Sequence, residues 1–146
     1  MSDSTISSTG PRVMAYALIG QQNKLLLVAD DRGRHSLPGG AVNDGEPVES
    51  ALRRTLHDQL DATITHLDFC SVVEYHAAKL GRHSASEVAV LFDVALTGLD
   101  HLDPRRPNMP WWADEPDLAS LRPEAIRDGL LAGTLSSDYP WWAWTP

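Results

Sequence analysis

Between Leu37 and Leu60 the chain leaves a glycine-rich turn, Leu37-Pro38-Gly39-Gly40, crosses a second turn signal at Asn43-Asp44-Gly45 and enters a run with helical periodicity. Val48, Ala51, Leu52, Leu56 and Leu60 recur at spacings of three and four, so they form one apolar stripe. This predicts a helix over 47–60, with Pro47 suited to its first turn. Such a stripe has to be covered by a sheet or by other helices.

The flanking sequence supplies strands. Val13 to Ile19 is apolar and partly aromatic and reads as a buried strand, followed by a turn at Gly20 to Asn23 and a second strand at Lys24 to Ala29. Together they predict a hairpin. His35-Ser36-Leu37 reads as a short extended piece after a polar turn at Asp30 to Arg34. Ile64 to Tyr75 and Val88 to Leu96 read as long strands, the second with Val88, Val90, Phe92, Val94 and Leu96 on one face. Ala77 to Ser86 reads as the loop between them, and His101 to Pro110 as a further loop. Glu124 to Ala132 predicts a second helix, introduced by Pro123 and ended by Gly133. The order strands, helix, strands, helix predicts an α/β fold with helices layered on a mixed sheet.

The ends differ from the middle. Met1 to Gly10 is rich in Ser and Thr and lacks the basic and apolar regions of a signal peptide, so residues 1–11 read as a flexible tail. The domain proper is expected over 12–134, and 135–146 as a tryptophan-rich tail containing Trp141, Trp142 and Trp144. Three indoles invite burial, so at least one of them is expected to be covered by the chain or by a partner in a homodimer, with stacking on a base as a further reading. Trp111 and Trp112 carry the same alternatives.

Charge and cysteine content exclude several functions. A formal net charge of −8 repels polymeric nucleic acid and anionic membranes, while a small phosphorylated ligand remains compatible through local groups or a cation. The single cysteine, Cys70, leaves neither an internal disulfide nor a cysteine-based zinc site, and its apolar surroundings make it a core residue. No apolar run has the length of a membrane span, and a cytoplasmic location is the default expectation.

Residues 37–62, LPGGAVNDGEPVESALRRTLHDQLDA, resemble the signature of the Nudix hydrolase family, G-x5-E-x7-R-E-U-x-E-E-x-G-U, where U is a bulky aliphatic. Gly40, Glu46, Arg54 and Leu56 fall in register, and the associated LPGG and GE pieces are present at Leu37 to Gly40 and Gly45-Glu46. The order of elements also matches over about 12–134. The resemblance implies a Nudix-like mixed β-sheet sandwiched between helices, hydrolysis of a nucleoside diphosphate linked to another group, and Mg2+ as cofactor. It also implies that Glu46 and Arg54 pair to fix the loop bearing Gly39 and Gly40 onto the helix.

The departures concern charge, and they make the box degenerate. Where the family carries three glutamates, this chain carries Thr55, Asp58 and Gln59, and the final glycine and aliphatic are Asp61 and Ala62. Carboxylates at spacings of three and four share one helix face, so they can share metal ions that neutralise phosphate oxygens and activate water. Here one full charge stands where three are expected. Asp58 is shorter than Glu by one carbon–carbon bond, roughly 1.5 Å. Asp58 and its neighbour His57 are the catalytic candidates, and Asp58, Gln59, Glu87 and Glu115 the metal-ligand candidates, the last two as acids supplied from later in the chain. His57 also reads as a surface histidine and Asp58 as a solvated helix charge beside Arg54. The expected function is therefore a Nudix-like hydrolase with weakened or altered activity. The alternatives are a non-catalytic ligand-binding or regulatory domain and a repurposed enzyme using the same pocket.

Overall fold

The computed structural model describes residues 11–29, 33–76, 86–99, 110–135, 138 and 141–143, the side chains of 142 and 143 excepted. The N-terminal tail, the loops expected at 77–86 and 101–110 and Trp144 lie wholly or mostly outside the described residues.

Strands β1 (Arg12–Leu18), β2 (Gly20–Gln21), β3 (Lys24–Ala29), β4 (His35–Ser36) and β5 (Gly39–Ala41) precede helix α1 (Val48–Leu60). Then follow β6 (Thr63–His76), β7 (Ser86–Thr97), β8 (Trp111–Ala113), a 3-10 helix at Glu115–Ser120, β9 (Leu121–Arg122), α2 (Glu124–Ala132) and β10 (Trp141–Ala143). One mixed sheet has the order β10-β6-β7-β1-β5, with β1 parallel to β7 and antiparallel to β5. A second sheet runs β2-β3-β4-β9, and β8 pairs with β3. Among the described residues no helix is long and apolar enough to cross a membrane.

The apolar runs are continuous because both faces of the strands are covered. Ala15 and Ala17 of β1, Leu26 and Val28 of β3 and Phe92 and Val94 of β7 pack with Leu52, Leu56 and Leu60 of α1. The intervening Tyr16, Leu27, Ala89 and Leu91 face the opposite way, with Leu121, Ala125 and Ile126 from β9 and α2. The two sheets are thus packed between helices, as the family resemblance implies. Each fully buried leucine of α1 contributes about 2 kcal/mol of hydrophobic stabilisation. Cys70 is buried in the α2-side cluster, and burial raises its thiol pKa.

Three local expectations need correction. The hairpin is smaller than expected: only Gly20–Gln21 pairs with β3, across Gln22 and Asn23 at φ 53° and 64°. Positive φ at both central residues matches the twist of a tight hairpin, while the preceding strand β1 belongs to the other sheet. The chain therefore changes sheets at Ile19, whose carbonyl still accepts from Leu26 N–H at 2.9 Å. Gly39-Gly40, expected in a loop, opens strand β5, because each residue finds a partner in β1: Tyr16 opposite Gly39 and Ala15 opposite Gly40. Finally, the tail contains β10, parallel to Val72–Glu74 of β6. The Trp141 indole N–H donates to the Glu74 carboxylate, and the side chain is 58% exposed, so the expected burial does not fall on this indole; the side chains of Trp142 and Trp144 lie outside the described residues.

Candidate functional site

Gly39 sits where α1, β1 and β5 meet. It is buried, with φ 134°, and a Cβ there would lie 2.1 Å from the Ala15 carbonyl oxygen and 2.8 Å from Tyr16 Cα. Only glycine fits this contact with β1. Ala17 N–H donates to Pro38 O at 2.9 Å and Val42 N–H to Val13 O at 3.0 Å, so the segment is stitched to β1 on both sides of the glycines.

Glu46 and Arg54 close the other end of the segment. Arg54 Nε donates to Glu46 Oε2 at 3.0 Å and Nη2 to Oε1 at 2.9 Å, a two-point pair whose planar fork matches the carboxylate. The same Nη2 donates to Ala41 O at 3.2 Å, and Glu46 Oε1 accepts from Asn43 N–H at 3.1 Å. The hydrogen bonds from Arg54 and Asn43 hold the Glu46 carboxyl below its ordinary pKa of 4.5, and Glu46 in turn raises that of Arg54.

The three acid positions of the box have separate environments. Thr55 Oγ1 donates back to Leu52 O at 3.1 Å, inside its own helix, and its methyl carbon faces Gly40. Asp58 is exposed, as is His57, and no hydrogen bond joins either side chain to another described residue. Gln59 reaches Gly39 twice. Its Oε1 accepts from Gly39 N–H at 2.8 Å and its Nε2 donates to Gly39 O at 2.9 Å. The backbone N–H of Gly39 is therefore engaged by the protein itself.

The acids from later in the chain stand elsewhere. Glu87 shares the α2-side face of β7 with Ala89 and Leu91, so it points away from α1. It accepts from Tyr75 O–H at 2.7 Å, and Arg12 Nη1 is 3.9 Å from its other oxygen. Burial pushes the Tyr75 hydroxyl pKa strongly upward, so it stays a donor. Glu115 opens the 3-10 helix and lines a cavity of about 310 Å3 with Lys24, Leu25, Leu118 and Leu130, and no residue of α1 borders it. Among the described residues no three His, Cys, Asp or Glu side chains come together as a metal site.

Comparison with known proteins gives this arrangement its family. The family model described as NUDIX domain matches residues 8–131. The chain belongs to the Nudix family. A search of curated protein sequences gives no match. Among solved structures, a MutT NUDIX hydrolase from Burkholderia pseudomallei aligns with a TM-score of 0.63 and 27% identity, covering 80% of this chain and 94% of that one. A NUDIX hydrolase from Nitrosomonas europaea aligns at 0.63 and 21% identity over 90% and 93% of the two chains. The dihydroneopterin triphosphate pyrophosphohydrolase of E. coli aligns at 0.62 and 18% identity over 81% and 91%. The last two likenesses concern the fold.

Nudix hydrolases generally use divalent metal ions and bind small phosphorylated substrates. The described residues of this Nudix chain do not fit a centre built on the helix acids. Thr55 is a neutral hydroxyl directed into its helix, Gln59 is neutral and committed to Gly39, and Asp58 is the one acid left at these three positions. A Mg2+ ion takes about six oxygens and gives up water reluctantly, so one helix carboxylate is a poor hold. Reading the sequence missed the Gln59–Gly39 pair. Its one local signal is that an amide, unlike a carboxylate, offers a donor and an acceptor together.

Proposed function

We propose that this Nudix domain takes a nucleoside diphosphate linked to another group beside the Gly39–α1 junction and hydrolyses it slowly. The observation that supports this most directly is the set of three box positions, where only Asp58 carries charge while Thr55 and Gln59 bond to the protein's own backbone. Asp58, with His57 next to it, is the group left on the exposed face to meet a phosphorylated ligand or act as a base. A Mg2+ ion in such a site depends on the ligand's phosphates for most of its oxygens, so its affinity for the free protein is low. Glu87 and Glu115 drop out of the proposed set, because one faces the other side of the sheet and the other borders a separate cavity.

The closed Gln59–Gly39 pair also favours a second reading, a domain that binds the same ligand class without turnover. A screen of nucleoside diphosphate derivatives, with calorimetric binding and phosphate release measured on the same preparations, separates the two. Slow, Mg2+-dependent release selects the hydrolase, and binding with no release selects the binding domain. Rapid release abolished by a chelator would contradict the proposal, since it would require a full metal centre.

A further inference from the structure

We propose that the Gln59 carboxamide serves this protein as an internal substitute for a cation at Gly39, so that the Gly-rich segment is held in place with no divalent metal. Gly39 presents a donor and an acceptor to one side chain, and the amide answers both, at 2.8 and 2.9 Å. The reverse amide orientation would set NH2 against N–H and oxygen against oxygen, so the pair of contacts fixes which atom lies where.

A glutamate here, as the family pattern has it, could make only the first bond. Its second oxygen would replace Nε2 and face the Gly39 carbonyl oxygen, with no hydrogen between them. Two acceptors at that separation repel each other unless a proton or a metal ion lies between them. The Nε2 hydrogen of Gln59 fills this place permanently. Gly39 in turn cannot move aside. Its backbone is pressed on Ala15 and Tyr16, and its neighbours Pro38 and Val42 are bonded to β1. The Gln59 latch therefore acts on a rigid carbonyl, and it does so although part of the side chain is open to solvent. The inference extends the proposed function by giving a reason for weak metal use, and its test contains no nucleotide, so either can fail without the other.

The test compares Gln59→Glu with the wild-type chain and with Gln59→Met in thermal melts, at matched ionic strength, in excess EDTA and in millimolar MgCl2 or MnCl2. The wild type should melt at one temperature in all three. Gln59→Glu should melt roughly 2–4 °C lower in EDTA at neutral pH and regain most of that loss in either metal, through binding to the folded state. Gln59→Met should lose stability that neither metal restores. A wild type stabilised by Mg2+ as much as Gln59→Glu, or a Gln59→Glu chain as stable as wild type in EDTA, would overturn the proposal. Hydrogen exchange at Gly39 N–H of the wild type decides the matter independently of the variants. Equal protection in EDTA and Mg2+ is expected, and protection that appears only with Mg2+ would sink it.

Discussion

The two halves of the signature segment have diverged. The half that shapes the backbone keeps its loop contacts: Gly39 and Gly40 against β1, and Glu46 and Arg54 in a two-point pair that also reaches Ala41. The half that elsewhere in the family carries charge is reduced to Asp58, with its flanking positions turned into backbone contacts. The difference teaches that loop geometry and the charges on the helix are separable in this fold. A chain can lose the charges and keep the cradle, provided something holds the cradle, and here Gln59 shares that work with Arg54.

The sharpest way to break this comparison is at Gly39. A methyl group there meets the Ala15 carbonyl oxygen and the Tyr16 backbone, at a φ that L-residues rarely adopt. Gly39→Ala should cost about 3 kcal/mol or more, from strain and overpacking together. Denaturant unfolding measures it. A cost near zero would mean that β5 can detach from β1 freely, and that the scaffold half is less fixed than its contacts indicate.

The next effect belongs to the charge half. Thr55→Glu together with Gln59→Glu places three carboxylates on the face that now holds Asp58. Calorimetry should show Mg2+ binding at least about tenfold tighter, roughly 1.4 kcal/mol. The two changes are tested as a pair because groups sharing a metal are not additive. An unchanged affinity would show that this face of α1 no longer looks onto a metal-accessible site.

The Glu46–Arg54 pair predicts a pH effect whose sign is set by the lowered Glu46 pKa. A carboxyl held below its ordinary value adds stability that is fully present above that value, near 4.5, and is lost as the pH falls through the folded value. Glu46→Gln should therefore flatten the acid limb of the stability curve below about pH 4.5 and lower stability at neutral pH. Asp93 works in the opposite sense. Burial, then the charge of Asp68, raises its pKa, so its contribution is present in acid and is lost as the pH rises through the raised value. Melts of Glu46→Gln in an Asp93→Asn background separate the two. A limb unchanged by Glu46→Gln would show that the pair does not contribute to the fold.

What the sequence discloses follows the range of the interaction. Helix α1, helix α2 with Gly133 at φ 70° and strand β3 are encoded by periodicity within a dozen residues, and they form where expected. The family signature adds the Glu46–Arg54 geometry, since its spacing spans two helical turns. Strands β5, β8 and β10 are short, and each exists because of a distant partner, β1, β3 and β6 respectively. Nothing inside Gly39-Gly40-Ala41 or Trp141-Trp142-Ala143 announces a strand. The same applies to Gln59. As a letter in a box it reads as a lost acid, and its role emerges only when folding brings Gly39, 20 positions earlier in the chain, against its amide. Glu87 and Glu115 were candidates because the family often draws a further acid from a later loop or strand; Glu87 lies on the α2-side face of β7 and Glu115 opens the 3-10 helix, placements that no local pattern announces.

The smallest effect concerns the end of α1, where a scaffold position has departed from the family. The signature places a glycine at position 61, and Asp61 occupies it at φ 49°, ψ 44°, the left-handed conformation, with its N–H donating to His57 O. That conformation ends many helices because it returns an otherwise unpaired carbonyl to a partner, and glycine enters it without a Cβ penalty. An aspartate there carries strain of about 1 kcal/mol, and it also adds a negative charge at the end of the helix dipole that already disfavours one. Asp61→Gly removes both terms, but glycine gains freedom in the unfolded chain, which offsets part of the benefit. The expected net gain is about 0.5 kcal/mol in denaturant unfolding, with nucleotide and metal binding unchanged. A loss of stability would mean that the Asp61 side chain makes a stabilising interaction outweighing the backbone strain. The scaffold half would then tolerate substitution at its edge as freely as the charge half has done at its centre.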